Sequence, residues 1–213
     1  MNVLIIAAHP DDEVLGMGGT IKKLSSQKHN IQLCVVSEGA SAQYKNKKMI
    51  ETRRNSCKKA GKILGISKFV FLNFPDMQLD SIPHLEINKK LEKVIKEFKP
   101  EIVYTTPFND LNLDHQKVFE STLVATRPIS SSVKKLFTYE LPGFTKTPYQ
   151  PNTFVNIEKF FETKIKAFKF YKTEINPFPH PRSTKSLENL AIYRGIQSGL
   201  KKAEAFELIR NID

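Results

Sequence analysis

The chain of 213 residues carries 33 Lys plus Arg against 22 Asp plus Glu, a formal net charge of +11, with 40% hydrophobic and 26% charged residues. That is the composition of one globular domain able to bury a core, and it excludes a disordered, collagen-like or low-complexity chain. No apolar run approaches the ~18 residues needed to cross a bilayer. The first run, Val3 to Ala8, is too short for a signal peptide and leads straight into acidic residues, so a cytoplasmic protein is expected.

In chain order, Val3–Ala8 is a continuous, largely branched apolar run, the pattern of a parallel strand buried on both faces. A helix pattern follows from Glu13 to Gln27, then a strand over Ile31–Ser37 and a helix over Lys48–Leu64 that Gly65 stops. Phe69–Leu72 reads as a third strand, Pro83 opens a helix to about Phe98, Glu101–Thr105 is a fourth strand, and a helix spans His115 to Thr126. After Pro128 the rhythm changes. Phe137–Glu140 and Thr153–Ile157 read as short strands around a Pro/Gly loop, and a helix is expected from Ile157 to about Thr173. The proline-dense segment Asn176 to Arg182 follows, Ser183 caps a last helix to Ser198, and Ala205–Ile209 is a closing strand or helix end. Strand–helix alternation over the first 126 residues means an α/β fold, a Rossmann-like, mostly parallel sheet flanked by helices, with a C-terminal elaboration. Residues 1–213 show no linker and no repeat, and read as a single domain.

The positive charge has two concentrations, Lys45, Lys47, Lys48, Lys58, Lys59 and Lys62, then Lys164, Lys166, Lys169 and Lys172. Neither interleaves aromatics in a nucleic-acid-binding pattern. Most of these lysines are expected on solvated helix faces, with attraction of an anionic substrate as a secondary effect. Cys34 and Cys57 lie in apolar or helical patterns and are expected as packing residues or free thiols.

In an open parallel sheet, ligands gather outside the carboxyl ends of the strands. The first strand delivers His9-Pro10-Asp11-Asp12-Glu13 there, and the fourth delivers Asn109-Asp110-Leu111-Asn112-Leu113-Asp114-His115. A catalytic zinc takes three protein ligands from His and carboxylate and keeps a position open for water. His9 and Asp12, across one strand-to-helix turn, and His115, at a helix start, fit that set. Asp11 beside them is the base for a water acidified by the metal.

Ala8-His9-Pro10-Asp11-Asp12-Glu13 followed by Gly18-Gly19 resembles the signature of the LmbE-like, PIG-L family of zinc-dependent N-deacetylases, and Pro107 to His115 resembles its second motif. The similarity runs over most of the chain, including Arg53 and the ending around His180-Pro181-Arg182-Ser183. The resemblance implies a Rossmann-like fold and removal of acetyl from an N-acetylated sugar amine. It also implies zinc on His9, Asp12 and His115, with Asp11 as base. One departure matters. Many members carry a second histidine three residues before the ligand histidine, and here that position is Asn112. Its amide can support an oxyanion but cannot carry a proton, so His180, in a loop stiffened by Pro177, Pro179 and Pro181, is expected to supply one. The alternative is that His180 is a structural or surface histidine.

Arg53, on an exposed approach, and Arg182, from the proline-rich loop, are expected to bind substrate oxygens, and the rival for Arg53 is a surface salt bridge. Asp114 is grouped with these substrate-side residues, and it can also orient a neighbouring histidine. Glu13 reads as a first-turn anion or a support for the metal ligands rather than a ligand, Asp110 and Asn109 as loop-shaping residues, and His29 and His84 as surface histidines. Three other functions compete. Gly16, Gly18 and Gly19 with Glu38 imitate a dinucleotide fingerprint, but the carboxylates in the turn would repel a pyrophosphate, and the glycines read better as close-packing positions. A phosphoesterase could use the same ligands, and a non-catalytic sugar-nucleotide binder could keep the fold. The N-acetyl sugar itself is not legible, although the basic surface favours an anionic one such as a sugar nucleotide. No nucleic-acid partner is expected, and a homo-oligomer is compatible with the C-terminal elaboration.

Overall fold

The computed structural model describes residues 1–42, 48–143 and 145–213. Lys45 and Lys47 of the first basic cluster lie outside the described residues. In chain order the elements are β1 (Asn2–Ala7), α1 (Asp12–Ser26), β2 (Asn30–Ser37), α2 (Lys48–Leu64), β3 (Lys68–Phe74), α3 (His84–Phe98), β4 (Ile102–Thr105) and α4 (Leu113–Ala125). They continue with β5 (Lys135–Tyr139), β6 (Thr153–Asn156), α5 (Phe161–Phe168), α6 (Thr184–Ser198) and β7 (Ala203–Asn211).

The seven strands form one sheet in the order β3-β2-β1-β4-β5-β7-β6. The first five are parallel, and β7 runs antiparallel to both β5 and β6. This is the mixed, mostly parallel sheet that the alternation of elements leads one to expect. β1 shows why its sequence lacks alternation. Val3, Ile5 and Ala7 enter one core with α1, α2, α5 and α6, whereas Leu4, Ile6 and Ala8 enter a second core with α3 and α4. Both faces are covered, so every position from Val3 to Ala8 is apolar. Strand order reverses at β1, which pairs with β2 on one side and β4 on the other. The crevice beyond their carboxyl ends is where such sheets bind ligands.

Two expected elements differ. The helix expected over 157–173 is a short turn at Glu158–Phe160 and an α5 that ends at Phe168. The closing segment is a nine-residue strand, longer than expected, that pairs on both edges. Ser183 caps α6 as its type suggested, its hydroxyl accepting from the Ser186 N–H at 2.9 Å.

α1 is broken at Met17 (φ −146°). The groups the break frees are met by a buried ion pair. Glu204 of β7 accepts from Gly19 N (3.0 Å) and Thr20 N (2.6 Å), while Lys164 of α5 donates to Leu15 O (2.8 Å) and to Glu204 (2.7 Å). Lys164, grouped with the surface lysines by its sequence context, is therefore only 4% exposed. The glycines of α1 allow close packing. A Cβ on Gly16 would fall 2.3 Å from the Tyr139 ring, and one on Gly19 would fall 2.8 Å from Ile157. Both cysteines are buried free thiols. Among the described residues no helix is long and apolar enough to cross a membrane.

Candidate metal centre

β1 ends at Ala7, and the turn after it carries His9 to Glu13 into the first turn of α1. His115 enters from the first turn of α4, whose Asn112 cap accepts from the Asp114 N–H at 2.9 Å. His9 Nδ1 lies 3.2 Å from His115 Nε2, and the Asp12 carboxylate lies 3.7 Å from the first and 3.5 Å from the second. One ligand atom from each of His9, Asp12 and His115 falls within 4.8 Å of the other two, and all three residues are buried.

Carboxylates stand behind both rings. His9 Nε2 is 2.9 Å from Asp114 Oδ2 and 3.3 Å from Asp76 Oδ1, and His115 Nδ1 is 3.0 Å from Asp110 Oδ2. The Asp114 partner favours the ring N–H of His9 on its outer nitrogen, and the Asp110 carboxylate beside His115 Nδ1 favours the same there, an arrangement that would leave the two inner nitrogens to bind a cation. Two lone pairs and a carboxylate oxygen, Asp12 Oδ1, that is buried without a hydrogen bond, need a positive charge between them. His115 shows that demand. Burial opposes its imidazolium, yet the charges of Asp12 and Asp110 push it up to about 10. Asp12, despite its burial, is held well below the usual carboxylate range by His115 and His9. Two imidazoles and one carboxylate in this arrangement fit a zinc ion.

Asp11 is wholly buried, with φ +125°, a conformation side-chain-bearing residues seldom adopt, and neither carboxylate oxygen has a hydrogen-bond donor. Burial raises its pKa, and Arg182 (3.5 Å) and Arg53 (3.6 Å) offset part of that rise. Glu13 is pushed up to about 8 by burial, against the hydrogen bond donated by the Tyr171 hydroxyl.

An open pocket of about 540 Å³ leads to the centre, with Asp12, Asn112, His115, His180 and Arg182 among its lining residues. Thus the two motifs and the proline-rich loop converge. Two expectations need correction. Arg53 is not on an exposed approach: it is 4% exposed, absent from the pocket wall, and donates to Glu174 Oε1 (2.6 Å) and Pro10 O (2.9 Å). Asp114 does not face substrate, because its carboxylate is committed to His9 and to the N–H groups of Met77 (2.9 Å) and Leu79 (3.0 Å). It does orient a histidine, His9 rather than the adjacent His115. Arg182 lies on the wall, where it also donates to Glu174 (2.7 Å). Glu38, the acid of the dinucleotide imitation, accepts from the backbone of Ala40 and Ser41 instead.

The structure adds one role to an expected residue and two participants that the sequence reading does not contain. Asp110 shapes its loop, accepting from Asn112 N at 2.8 Å, and also meets His115. Asp76 follows β3, so the same strand-end rule could have found it. Glu174 lies in a segment with no local signal.

The fold and centre define an α/β protein with a buried His–Asp–His cluster, able to hold a cation, at the point where strand order reverses. Its sequence places it further: the model of the PIG-L family, GlcNAc-PI de-N-acetylase, matches residues 4–126, more than half of the chain, and the chain belongs to that family. It is 32% identical over 180 residues to the uncharacterized deacetylase YaiS of Escherichia coli, covering 80% of this chain and 90% of that one. It is 27% identical over 228 residues to diacetylchitobiose deacetylase of Thermococcus kodakarensis, covering 99% and 84%. Among solved structures, the 4-carboxy-2-hydroxymuconate hydratase GalB of Pseudomonas putida superposes with a TM-score of 0.82 at 20% identity, covering 98% of this chain and 95% of that one. The fold therefore serves more than one reaction, and the chemistry has to be argued from the site.

Proposed function

We propose that residues 1–213 act as one cytoplasmic, zinc-dependent deacetylase domain that hydrolyses the acetamide of an N-acetylated amino sugar or sugar conjugate. The observation that carries this reading is the inward-facing trio of His9, Asp12 and His115 beside an Asp11 carboxylate free of donors. Membership of a de-N-acetylase family and the likeness to a diacetylchitobiose deacetylase support it.

His9, Asp12 and His115 hold the ion, and Asp114 and Asp110 keep the two rings turned toward it. A zinc ion held by these residues would acidify a water in the site toward a pKa of roughly 7 and polarise the acetamide carbonyl. Asp11 takes the proton of the attacking water as its oxygen bonds to the acetyl carbon. Its burial suits it to that exchange, since a carboxylate raised toward neutrality is a stronger base. The Asn112 amide N–H₂ supports the oxygen that gains negative charge, its Oδ1 being occupied by the helix cap. As the C–N bond breaks and acetate forms, the departing amine takes a proton either from Asp11, which holds the one removed from water, or from His180 on the pocket wall. The Arg182 side chain, 30% exposed there, meets an anionic substituent such as the phosphate of a sugar nucleotide.

The test is a panel of N-acetyl sugars and sugar conjugates, with phosphate esters alongside, given to zinc-loaded protein while acetate, free amine and phosphate are followed. Acetate and amine in equal amounts are expected. Phosphate release alone would replace this reading with a phosphoesterase, and no turnover with any compound would replace it with a binding protein. Asp11→Asn should keep its zinc and lose turnover by on the order of 100- to 10,000-fold.

A further inference from the structure

Glu13 takes no part in the steps above, and unlike Asp11 it has both carboxylate oxygens engaged, one by the Asp11 N–H and one by the Tyr171 hydroxyl. Its surroundings give it a different task. The peptide unit joining Pro10 to Asp11 is gripped from both sides. Glu13 Oε2 accepts the Asp11 N–H at 3.1 Å, and Arg53 donates to the Pro10 carbonyl at 2.9 Å. Each grip is itself held: the Tyr171 hydroxyl donates to the other Glu13 oxygen, and Glu174 accepts from Arg53 at 2.6 Å. The orientation of this unit sets φ of Asp11, which stands at +125°. In that conformation both Asp11 oxygens remain without a hydrogen-bond donor, the state a base needs.

We infer that Glu13 is a positioning residue, acting with Arg53 to clamp the Pro10–Asp11 peptide so that the Asp11 carboxylate is presented free to take a proton. This rests on the reading of Asp11 as the base. A first-turn anion serving only the helix dipole would not need burial, a tyrosine donor behind it, or an acceptor oxygen spent on the preceding N–H. A substrate-binding Arg53 would not be hidden from the pocket.

The test compares zinc-loaded Glu13→Ala, Glu13→Gln and Arg53→Ala with the parent on whichever N-acetyl compound of the panel turns over fastest. Misaiming a catalytic group costs on the order of 100-fold, so Glu13→Ala should lose about that much kcat with KM and zinc content within about twofold. Glu13→Gln keeps an oxygen that accepts the same N–H and should stay within about fivefold of the parent. A crystal structure of Glu13→Ala should show φ of Asp11 relaxed to a negative value. Parental kcat in Glu13→Ala, a Gln variant as weak as the Ala variant, or an unchanged positive φ would each overturn the inference. Should Glu13→Ala not fold, Arg53→Ala decides: a lower kcat at unchanged KM supports the clamp, and a raised KM at parental kcat overturns it. Asp11→Asn separates the two failures. If that variant stays active the base reading falls and takes the clamp with it, whereas an inactive Asp11→Asn beside an active Glu13→Ala sinks the clamp alone.

Discussion

The half of the molecule built on the first four parallel strands, β1 to α4 (the parallel half), and the later half, which opens on the fifth parallel strand β5 and ends on β7, contribute to the centre in different ways. The three residues proposed to hold the ion, and the carboxylates that orient them, all come from the parallel half, at or just beyond strand ends. Among the described residues, the later half adds none to this cluster. It brings Tyr171, Glu174, His180 and Arg182, which back the Asp11 peptide, counter its charge and form the outer wall. The comparison teaches that topology places the ion site, while side chains far away in sequence set how its neighbour Asp11 behaves.

That division can be broken by experiment. The largest effect should follow His115→Ala, which removes a parallel-half ligand: bound zinc falls well below one per chain and deacetylation drops to background, read by elemental analysis and acetate release. Full zinc retention would dissolve the distinction. His180→Ala, in the later half, should keep its zinc and lose on the order of 100-fold in kcat. A change confined to KM would make His180 a binding residue instead. Lys164→Met should leave a folded protein with near-parental kcat but remove about 3–5 kcal/mol of stability, because Glu204 stays buried and unpaired. Urea unfolding checks this.

The smallest effect belongs to Cys34, a buried thiol of β2 pushed by burial from 9.0 up to about 12. The folded state holds this proton more tightly than the unfolded chain. The resulting stability is complete below about pH 9 and is lost as pH rises toward 12. Unfolding curves across that range should fall more steeply for the parent than for Cys34→Ala, and native Cys34 should resist alkylation at pH 8.5.

The same contrast explains what was legible in the sequence. Strands buried on both faces and helices of regular period announce themselves, so β1 to α4 and the two polar clusters at their ends could be read directly. Asp76 obeys that rule too, but the apolar pattern of Phe69–Leu72 stops two residues short of Phe74, where the strand ends, and so leaves Asp76 without its address. The later half offered less. The stretch from Ile157 to Thr173 keeps a helical pattern, yet its final turns unwind, and Tyr171 and Glu174 are committed to partners more than 100 positions away. Lys164 reads as solvated because the lysines grouped with it, Lys166, Lys169 and Lys172, are exposed. Only the broken α1 and Glu204, neither visible in a local window, draw it inside. Arg53 misled for the same reason: a basic residue on an amphipathic helix gives no local sign that two acids await it in the interior.

The break in α1 ties the two ends of the chain together. Its freed amides find their acceptor on β7, so the first helix takes a carboxylate from a strand 184 and 185 positions further along to complete its backbone hydrogen bonding.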